Sequence, residues 1–184
     1  MVIIGITGTL GAGKGTIVDY LTKTKGFNHY SVRAFITIEI QKRKMEVNRD
    51  SMVLVANELR SQNHPAYIIE QLFEQAAQSG NNCIIESLRT PGEVDHLRSK
   101  PSFYLFAVDA DPQTRYDRIV VRSGETDQVS YEEFIMNEER EMHGTDPNKQ
   151  NISKCIEMAD FSLVNNGSME ELHQQTEEIL KIIL

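Results

Sequence analysis

Short apolar runs alternate with longer amphipathic stretches along the whole chain, and this alternation predicts its secondary structure. Strands are predicted for residues 2–7, 28–32, 82–86, 103–108 and 161–164. The run at 103–108, FYLFAV, is apolar throughout, as expected for a strand that is buried on both faces. Strands that alternate with helices are typical of a parallel sheet covered by helices, so the sequence predicts an α/β fold.

Side-chain signals mark where the predicted helices begin and end. The sequence Thr90-Pro91-Gly92-Glu93 combines a capping box with proline at the first helical position. Further helix starts are expected at Asp111, Ser130 and Ser168, and helix stops at Gly26, Gly80 and Gly124. These signals place helices between the predicted strands and after the last one.

One interval between strands is too long for a single connecting helix. The second and third predicted strands are separated by about fifty residues, whereas one βαβ crossover needs about twelve. Helical patterns are predicted at 34–44, 52–62 and 65–79. We interpret residues 33–80 as a helical substrate-binding insert in a single domain of residues 1–184, because α/β sheets bind ligands at the carboxyl ends of their strands. The alternative is that these helices are purely structural.

The composition limits the classes of function. A chain of 184 residues, 40% hydrophobic and 25% charged, is long enough for one well-buried domain. Its net charge of −8 argues against a general nucleic-acid binder or a binder of anionic membranes, so a phosphate site must be a local basic pocket. Because no apolar run reaches the length of a membrane span and no signal-peptide pattern precedes the first strand, we expect a cytoplasmic protein without a membrane partner.

Residues 8–16, GTLGAGKGT, have the spacing of a phosphate-binding loop between a predicted strand and a predicted helix. Backbone without Cβ atoms can curl closely enough to aim several N–H groups at one phosphate, and the helix N-terminus adds partial positive charge. Lys14 is then expected to reach the β- and γ-phosphates. The predicted nucleotide-binding residues are Gly8, Gly11, Ala12, Gly13, Lys14, Gly15 and Thr16. The alternative is an ordinary glycine-rich turn.

The loop departs from the general pattern at one position. Serine or threonine usually follows the lysine and binds Mg²⁺, but Gly15 stands there and the hydroxyl comes one residue later, on Thr16. Thr16 is therefore the predicted hydroxyl ligand of the metal.

The Gly-Lys-Gly-Thr ending of the loop resembles that of adenylate kinases and their nucleoside-monophosphate kinase relatives. The whole chain is similar to a less characterised branch of P-loop kinases, common in archaea and described as adenylate-kinase-like or dephospho-CoA-kinase-like. The matching segments beyond the loop are VANELR at 55–60, ESLRTPGEV at 86–94, DADPQTRYDRIVVR at 109–122 and ADFSLVNNGSMEEL at 159–172. This resemblance implies a three-layer α/β/α P-loop NTPase fold with a five-stranded parallel sheet, a lid-like segment at 123–150, ATP and Mg²⁺ as cofactors, and a monomer. Relatives often carry an aspartate near Mg²⁺ at the end of the third strand, where this chain has Glu86, so Glu86 is the carboxylate that the resemblance places near the metal.

The resemblance also assigns roles to arginines outside the loop. Arg118 and Arg122 form an i, i+4 pair that is expected to enter the lid and meet the phosphates, and we predict them to be catalytic. The alternative is that they only provide favourable charge at a helix C-terminus. Arg115 is expected to face solvent. Arg140 is either a second lid arginine or a partner of nearby glutamates.

The acceptor is expected to meet a second set of arginines. Arg89 follows the third strand, where a guanidinium can bind a phosphate with two hydrogen bonds, unless it is a surface arginine at a helix start. Arg33 stands where dephospho-CoA kinases carry an aspartate that acts as base toward a ribose hydroxyl. Because a phosphate acceptor needs no base, Arg33, Arg49 and Arg89 are the predicted substrate-binding residues.

The expected activity is phosphoryl transfer from Mg-ATP to a nucleoside monophosphate or a similar phosphorylated nucleotide. One alternative is transfer to a hydroxyl, as in dephospho-CoA kinases, with His29 as base. The other is a nucleotide-binding regulator with slow ATPase activity.

Asn166 and Gly167, after the last predicted strand, are expected to border the adenine of ATP, unless they only form a turn.

Overall fold

The computed structural model describes residues 1–122 and 129–184. Its strands are β1 Ile3–Gly8, β2 Asn28–Ser31, β3 Cys83–Glu86, β4 Phe103–Asp109 and β5 Phe161–Val164. The helices of the described residues are α1 Lys14–Lys25, α2 Val32–Lys42, α3 Arg49–Gln62, α4 Tyr67–Ser79, α5 Pro91–Arg98, α6 Pro112–Arg122, α7 Tyr131–Met142, α8 Ile152–Glu157 and α9 Met169–Ile183. The predicted strands are confirmed, and their ends differ from the observed ones by at most one residue.

The five strands form one sheet in the order β2-β3-β1-β4-β5, and every neighbouring pair is parallel. This confirms the predicted five-stranded parallel sheet. After β1 the chain continues to β2 and β3 on one side and then crosses to β4 and β5 on the other. In open α/β sheets, ligands bind at the carboxyl ends of strands where the direction changes in this way, which here means β1 and β3.

The alternation of side chains along the strands creates two cores, one on each face of the sheet. Ile3, Ile85 and Leu105 belong to the core under helices α2, α3, α4, α5 and α8. Their sequence neighbours Ile4, Ile84 and Phe106 belong to the opposite core, under α1 and α9. The fold is therefore the predicted three-layer α/β/α sandwich.

Most helix ends follow the sequence signals. Thr90, Ser130 and Ser168 each form a capping box with the glutamate three residues later. Gly26 and Gly80 end their helices with φ of 71° and 67°, in the left-handed region that favours glycine. The predicted stop at Gly124 lies outside the described residues, and so do residues 123–128 of the predicted lid-like segment.

Three helices, α2 to α4, lie between β2 and β3. The second of them begins earlier than predicted, because Asn48 and Ser51 form a capping box that the sequence analysis missed. As a result Arg49 is in the first turn of α3.

Among the described residues, no helix has both the length and the apolar character needed to cross a membrane.

A buried ion pair connects α3 to α5. Arg60 and Glu93 are 1% and 0% exposed, and the Nε and Nη2 atoms of Arg60 donate to Glu93 Oε1 over 3.1 and 2.8 Å. Glu93 Oε2 accepts from the backbone N–H groups of Arg89 and Thr90 over 2.7 and 3.1 Å. Glu93 thus holds together α3, the start of α5 and the backbone at Arg89.

Candidate active site

The P-loop, residues 8–16, requires glycine for reasons of space and of backbone conformation. Gly11 has a φ of +80°, and a Cβ there would stand 2.5 Å from the carbonyl oxygen of Arg115. Gly13 has a φ of +103°, and a Cβ there would stand 2.2 Å from Asn165 Nδ2. Gly13 is also the N-cap residue of α1 and supplies no capping side chain, so no cap residue competes for the first N–H groups of the helix. This arrangement suits a bound phosphate.

Lys14 folds back over the P-loop. Its Nζ donates to the carbonyl oxygens of Gly8 and Thr9 over 2.9 and 2.7 Å. Removal of the ammonium from water, together with the positive charge of Arg89, lowers the pKa of Lys14 to about 7. A phosphate beside Lys14 would favour the charged form again, so the site is electrostatically ready for an anion.

Two side chains behind the P-loop, those of Arg115 and Asn165, make contacts that were not predicted from the sequence. Arg115 is 3% exposed, so the prediction that it faces solvent is wrong. It donates to Ala110 O and Leu10 O over 2.7 and 3.3 Å and pairs with Glu138 of α7, which is why its charge can be buried. Asn165 is buried and donates from Nδ2 to Ala12 O over 2.8 Å. These contacts tie the P-loop to α6, α7 and the loop after β5.

One cavity of about 640 Å³ brings most of the predicted site residues together. The predicted residues that line it are Gly11, Gly13, Lys14, Gly15, Thr16, Arg33, Arg49, Glu86, Arg89, Arg118 and Arg122. Gly8 and Ala12 are buried in the P-loop beneath this surface. Asn166 and Gly167 line a separate, open depression with Ser168 and Glu171, so their contact with adenine stays a prediction.

Two of the predicted substrate-binding arginines share one carboxylate. Arg49 Nη2 and Arg89 Nη1 lie 2.5 and 2.6 Å from the two oxygens of Glu141, and Arg89 also donates to Gln150 Oε1 over 2.7 Å. Burial raises the pKa of the Glu141 carboxyl, but the guanidiniums of Arg89 and Arg49 outweigh it and hold the pKa below its ordinary value. Glu141 is thus an anionic group bound by the same guanidiniums that are predicted to bind an acceptor phosphate.

Arg140 pairs with a different residue from those considered in the sequence analysis. Its Nη1 lies 3.6 Å from Asp50 Oδ1, whereas the nearby Glu138 and Glu141 are paired with Arg115, Arg49 and Arg89. Arg140 is half-exposed, and this surface ion pair places it at α3. A glutamate-rich run does not show which of its members is buried, so the sequence alone could not make this assignment.

The arginine pair of α6 faces the cavity. Arg118 and Arg122 both line it, one turn of helix apart. Arg118 Nη1 donates over 2.8 Å to the carbonyl oxygen of Asn165, the residue that also contacts the P-loop. Arg118 is therefore joined through Asn165 to the predicted nucleotide site.

Glu86 stands at the carboxyl end of β3, in the same cavity. Its Oε1 accepts from Ser31 Oγ over 3.1 Å and lies 4.0 Å from His29 Nε2, and its Oε2 accepts from Ser87. Ser87 has a φ of +68°, which is uncommon for a residue other than glycine and often marks a functional site. The polar neighbours hold the Glu86 carboxylate in a defined position.

The cavity contains side-chain oxygen atoms of the kind that Mg²⁺ binds. Thr16 and Glu86, which both line the cavity, carry the hydroxyl and carboxylate oxygens that this cation prefers. In residues 1–122 and 129–184, no group of three or more His, Cys, Asp or Glu side chains could hold a metal by itself. A cation there would complete its shell with phosphate and water oxygens, as Mg²⁺ usually does.

A glycine loop between β1 and α1, its lysine, and arginines around one cavity define a P-loop NTPase with a kinase-like fold. The chain belongs to the AAA_18 family, whose model, described as an AAA domain, matches residues 4–144. A UPF0200 protein of Methanothermobacter thermautotrophicus is 30% identical over 98% of this chain and 90% of the relative. The resemblance to a poorly characterised archaeal branch of P-loop proteins is thereby confirmed.

Solved structures confirm the fold. The chain TT1252 of Thermus thermophilus superposes with a TM-score of 0.66 at 20% identity, covering 100% of this chain and 98% of the other. A shikimate kinase of Bacteroides thetaiotaomicron superposes with a TM-score of 0.54 at 12% identity, covering 98% of this chain and 97% of the other. At these identities the likeness shows a shared fold and leaves the substrate open.

Proposed function

We propose that the protein is a kinase that transfers the γ-phosphoryl group of Mg-ATP to a nucleoside monophosphate or a similar phosphorylated nucleotide. The observation that carries this proposal is that a single cavity contains the P-loop together with Arg33, Arg49 and Arg89. A protein that only hydrolyses ATP has no need for this second group of cations. Two phosphate sites within one cavity are what a kinase with an anionic acceptor requires.

The residues of the cavity divide into three roles in this mechanism. The P-loop and Lys14 bind the phosphates of ATP, and Arg118 and Arg122 stabilise charge on the transferring group. Thr16 and Glu86 hold Mg²⁺, which neutralises charge on the phosphates when bound. The acceptor phosphate is bound by the three substrate-binding arginines.

The acceptor must displace the carboxylate of Glu141 from Arg49 and Arg89, or share these guanidiniums with it. Residues 129–150, the described part of the lid-like segment, include α7 with Glu141. We propose that acceptor binding moves this carboxylate and thereby couples the acceptor to the lid.

The remaining parts of the proposal are that Asn166 and Gly167 border the adenine and that the protein acts as a monomer in the cytoplasm.

Arg89→Ala is expected to weaken use of the acceptor much more than use of ATP. The variant loses a charge-assisted contact to the acceptor phosphate, so the KM for the acceptor should rise about 10- to 100-fold. The KM for ATP should change less than about threefold, because the contact that the variant loses is to the acceptor and not to ATP. Initial rates of ADP release, with each substrate varied in turn, measure both constants.

Arg98→Ala is the matched control for this variant. Arg98 is on α5, is partly exposed, pairs with Asp160, and does not line the cavity. Its replacement should leave both KM values unchanged. An unchanged acceptor KM in Arg89→Ala would remove Arg89 from the substrate site.

A hydroxyl acceptor is the second candidate, favoured by one observation. Glu86 lies 4.0 Å from His29, and both line the cavity, so a carboxylate and an imidazole are present where a hydroxyl would need a base. ADP release that depends on dephospho-CoA or a nucleoside, and that is lost in His29→Ala, would support this candidate. Slow ATP hydrolysis that no acceptor stimulates would instead indicate a nucleotide-binding regulator.

A further inference from the structure

Helices α2 and α3 contribute an apolar wall to the cavity. Its apolar members are Val32 and Ile36 of α2 and Met52, Val53 and Ala56 of α3. Arg49 and Arg60 lie on the same face of α3, at helical spacing from these residues. The apolar side chains between these two arginines offer no partner to a phosphate, so this part of the wall suits an uncharged part of a ligand.

Arg60 is the more deeply buried of the two arginines on this wall, and its hydrogen bonds are incomplete. The side chain is 1% exposed, and its Nε and Nη2 atoms are used by Glu93. Within the described part of the chain, its buried Nη1 has no hydrogen-bond partner. Because the guanidinium is planar and one edge faces Glu93, Nη1 lies on the side away from that carboxylate. A buried donor without an acceptor is costly, and Arg60 lines the cavity, so a ligand there that supplies a hydrogen-bond acceptor would remove this cost.

The charge of the Arg60–Glu93 pair defines which kind of hydrogen-bond acceptor suits Nη1 of Arg60. Glu93 already neutralises Arg60, so a second full negative charge at Nη1 would be buried without compensation. A neutral acceptor, such as a carbonyl oxygen or an unprotonated ring nitrogen, needs only the free N–H group. The phosphate of the ligand has Arg33, Arg49 and Arg89 in the same cavity.

We infer that Arg60 determines which acceptor base is used. The base lies against the apolar wall, and Nη1 of Arg60 donates to a carbonyl oxygen or unprotonated nitrogen on its edge. This inference rests on the proposed function and adds a specificity residue to it. Glu93 positions Arg60 and also accepts from the backbone of Arg89, so the groups that hold base and phosphate share one rigid anchor.

The test compares acceptors with and without a base in the intact protein. ADP release is measured with AMP, GMP, CMP, UMP and ribose 5-phosphate, for the natural protein and for Arg60→Lys. Lysine keeps the positive charge that pairs with Glu93 but has no equivalent of Nη1, the donor that is proposed to contact the base. For the preferred monophosphate, Arg60→Lys should lower kcat/KM about 10- to 100-fold, mainly through KM. The KM for ATP and the rate with ribose 5-phosphate should stay unchanged.

The possible outcomes separate this inference from the proposed function. Equal losses with the monophosphates and with ribose 5-phosphate, or no loss at all, would overturn the role of Arg60 while leaving the kinase intact. No stimulation of the natural protein by any of these acceptors would overturn the proposed function and the inference with it. If Arg60→Lys fails to fold, the double variant Arg60→Met, Glu93→Gln replaces it, since it removes both charges and keeps an oxygen for the backbone N–H groups.

Discussion

Lys14→Met is expected to lower phosphoryl transfer by at least about 10²- to 10³-fold, the usual cost of removing an electrostatic group from a transition state. Lys14 is the cation at the centre of the P-loop, and in transfer it would balance charge on the β- and γ-phosphates. Methionine has a similar length and no charge, so it fills the space without this effect. ADP release at saturating ATP and acceptor measures the loss.

The same variant should fold as well as the natural protein. Burial lowers the pKa of Lys14 to about 7, which means that the ammonium is unfavourably placed while no anion is bound. Removing the ammonium should therefore change the free energy of unfolding little. The midpoint of thermal unfolding should stay within a few degrees of that of the natural protein. Lys23→Met is the matched control, because Lys23 is on the same helix and 74% exposed. Near-normal turnover in Lys14→Met would show that the site assignment is wrong.

Glu93→Ala is expected to lower the free energy of unfolding by about 3–5 kcal/mol, the usual cost of leaving one member of a buried ion pair alone. Arg60 would keep a buried charge without its carboxylate, and the N–H groups of Arg89 and Thr90 would lose their acceptor. For a chain of this size the midpoint of thermal unfolding should fall by about 6–20 °C. Thermal and urea unfolding followed by circular dichroism measure both quantities.

An exposed ion pair provides the control for this prediction. Glu157 pairs with Lys154 on α8, and both side chains are more than half exposed. Glu157→Ala should leave the unfolding midpoint unchanged, because exposed pairs contribute little. If Glu93→Ala unfolds at the same temperature as the natural protein, the ion pair does not anchor α3 to α5 as described.

Much of the fold was predictable because its signals are local. The strands are apolar runs, and helix ends at Thr90, Gly26 and Gly80 follow from the backbone preferences of single residues. The P-loop was predictable for the same reason, since its glycines and lysine act through nearby backbone. Asn48 shows the limit of such signals, because its box partner is Ser51 rather than the usual glutamate or glutamine.

The rest of the candidate site depends on contacts between distant parts of the chain. Arg60 and Glu93 are 33 residues apart, and nothing in either segment shows that they meet. The sequence around Arg115 is that of a surface arginine, and only the folded structure shows its contacts with Glu138 of α7 and the carbonyl oxygen of Leu10. Charged residues on amphipathic helices are usually exposed, so burial of these two arginines follows only from the packed structure.

The identity of the phosphorylated product distinguishes a phosphate acceptor from a hydroxyl acceptor and from simple hydrolysis of ATP. The protein is incubated with Mg-ATP and, in turn, with each nucleoside monophosphate and dephospho-CoA, and the products are followed by phosphorus NMR. We expect one monophosphate to become a diphosphate, with a new phosphoanhydride signal that is absent with Lys14→Met. A new phosphomonoester on a hydroxyl, or only inorganic phosphate whatever the acceptor, would contradict it.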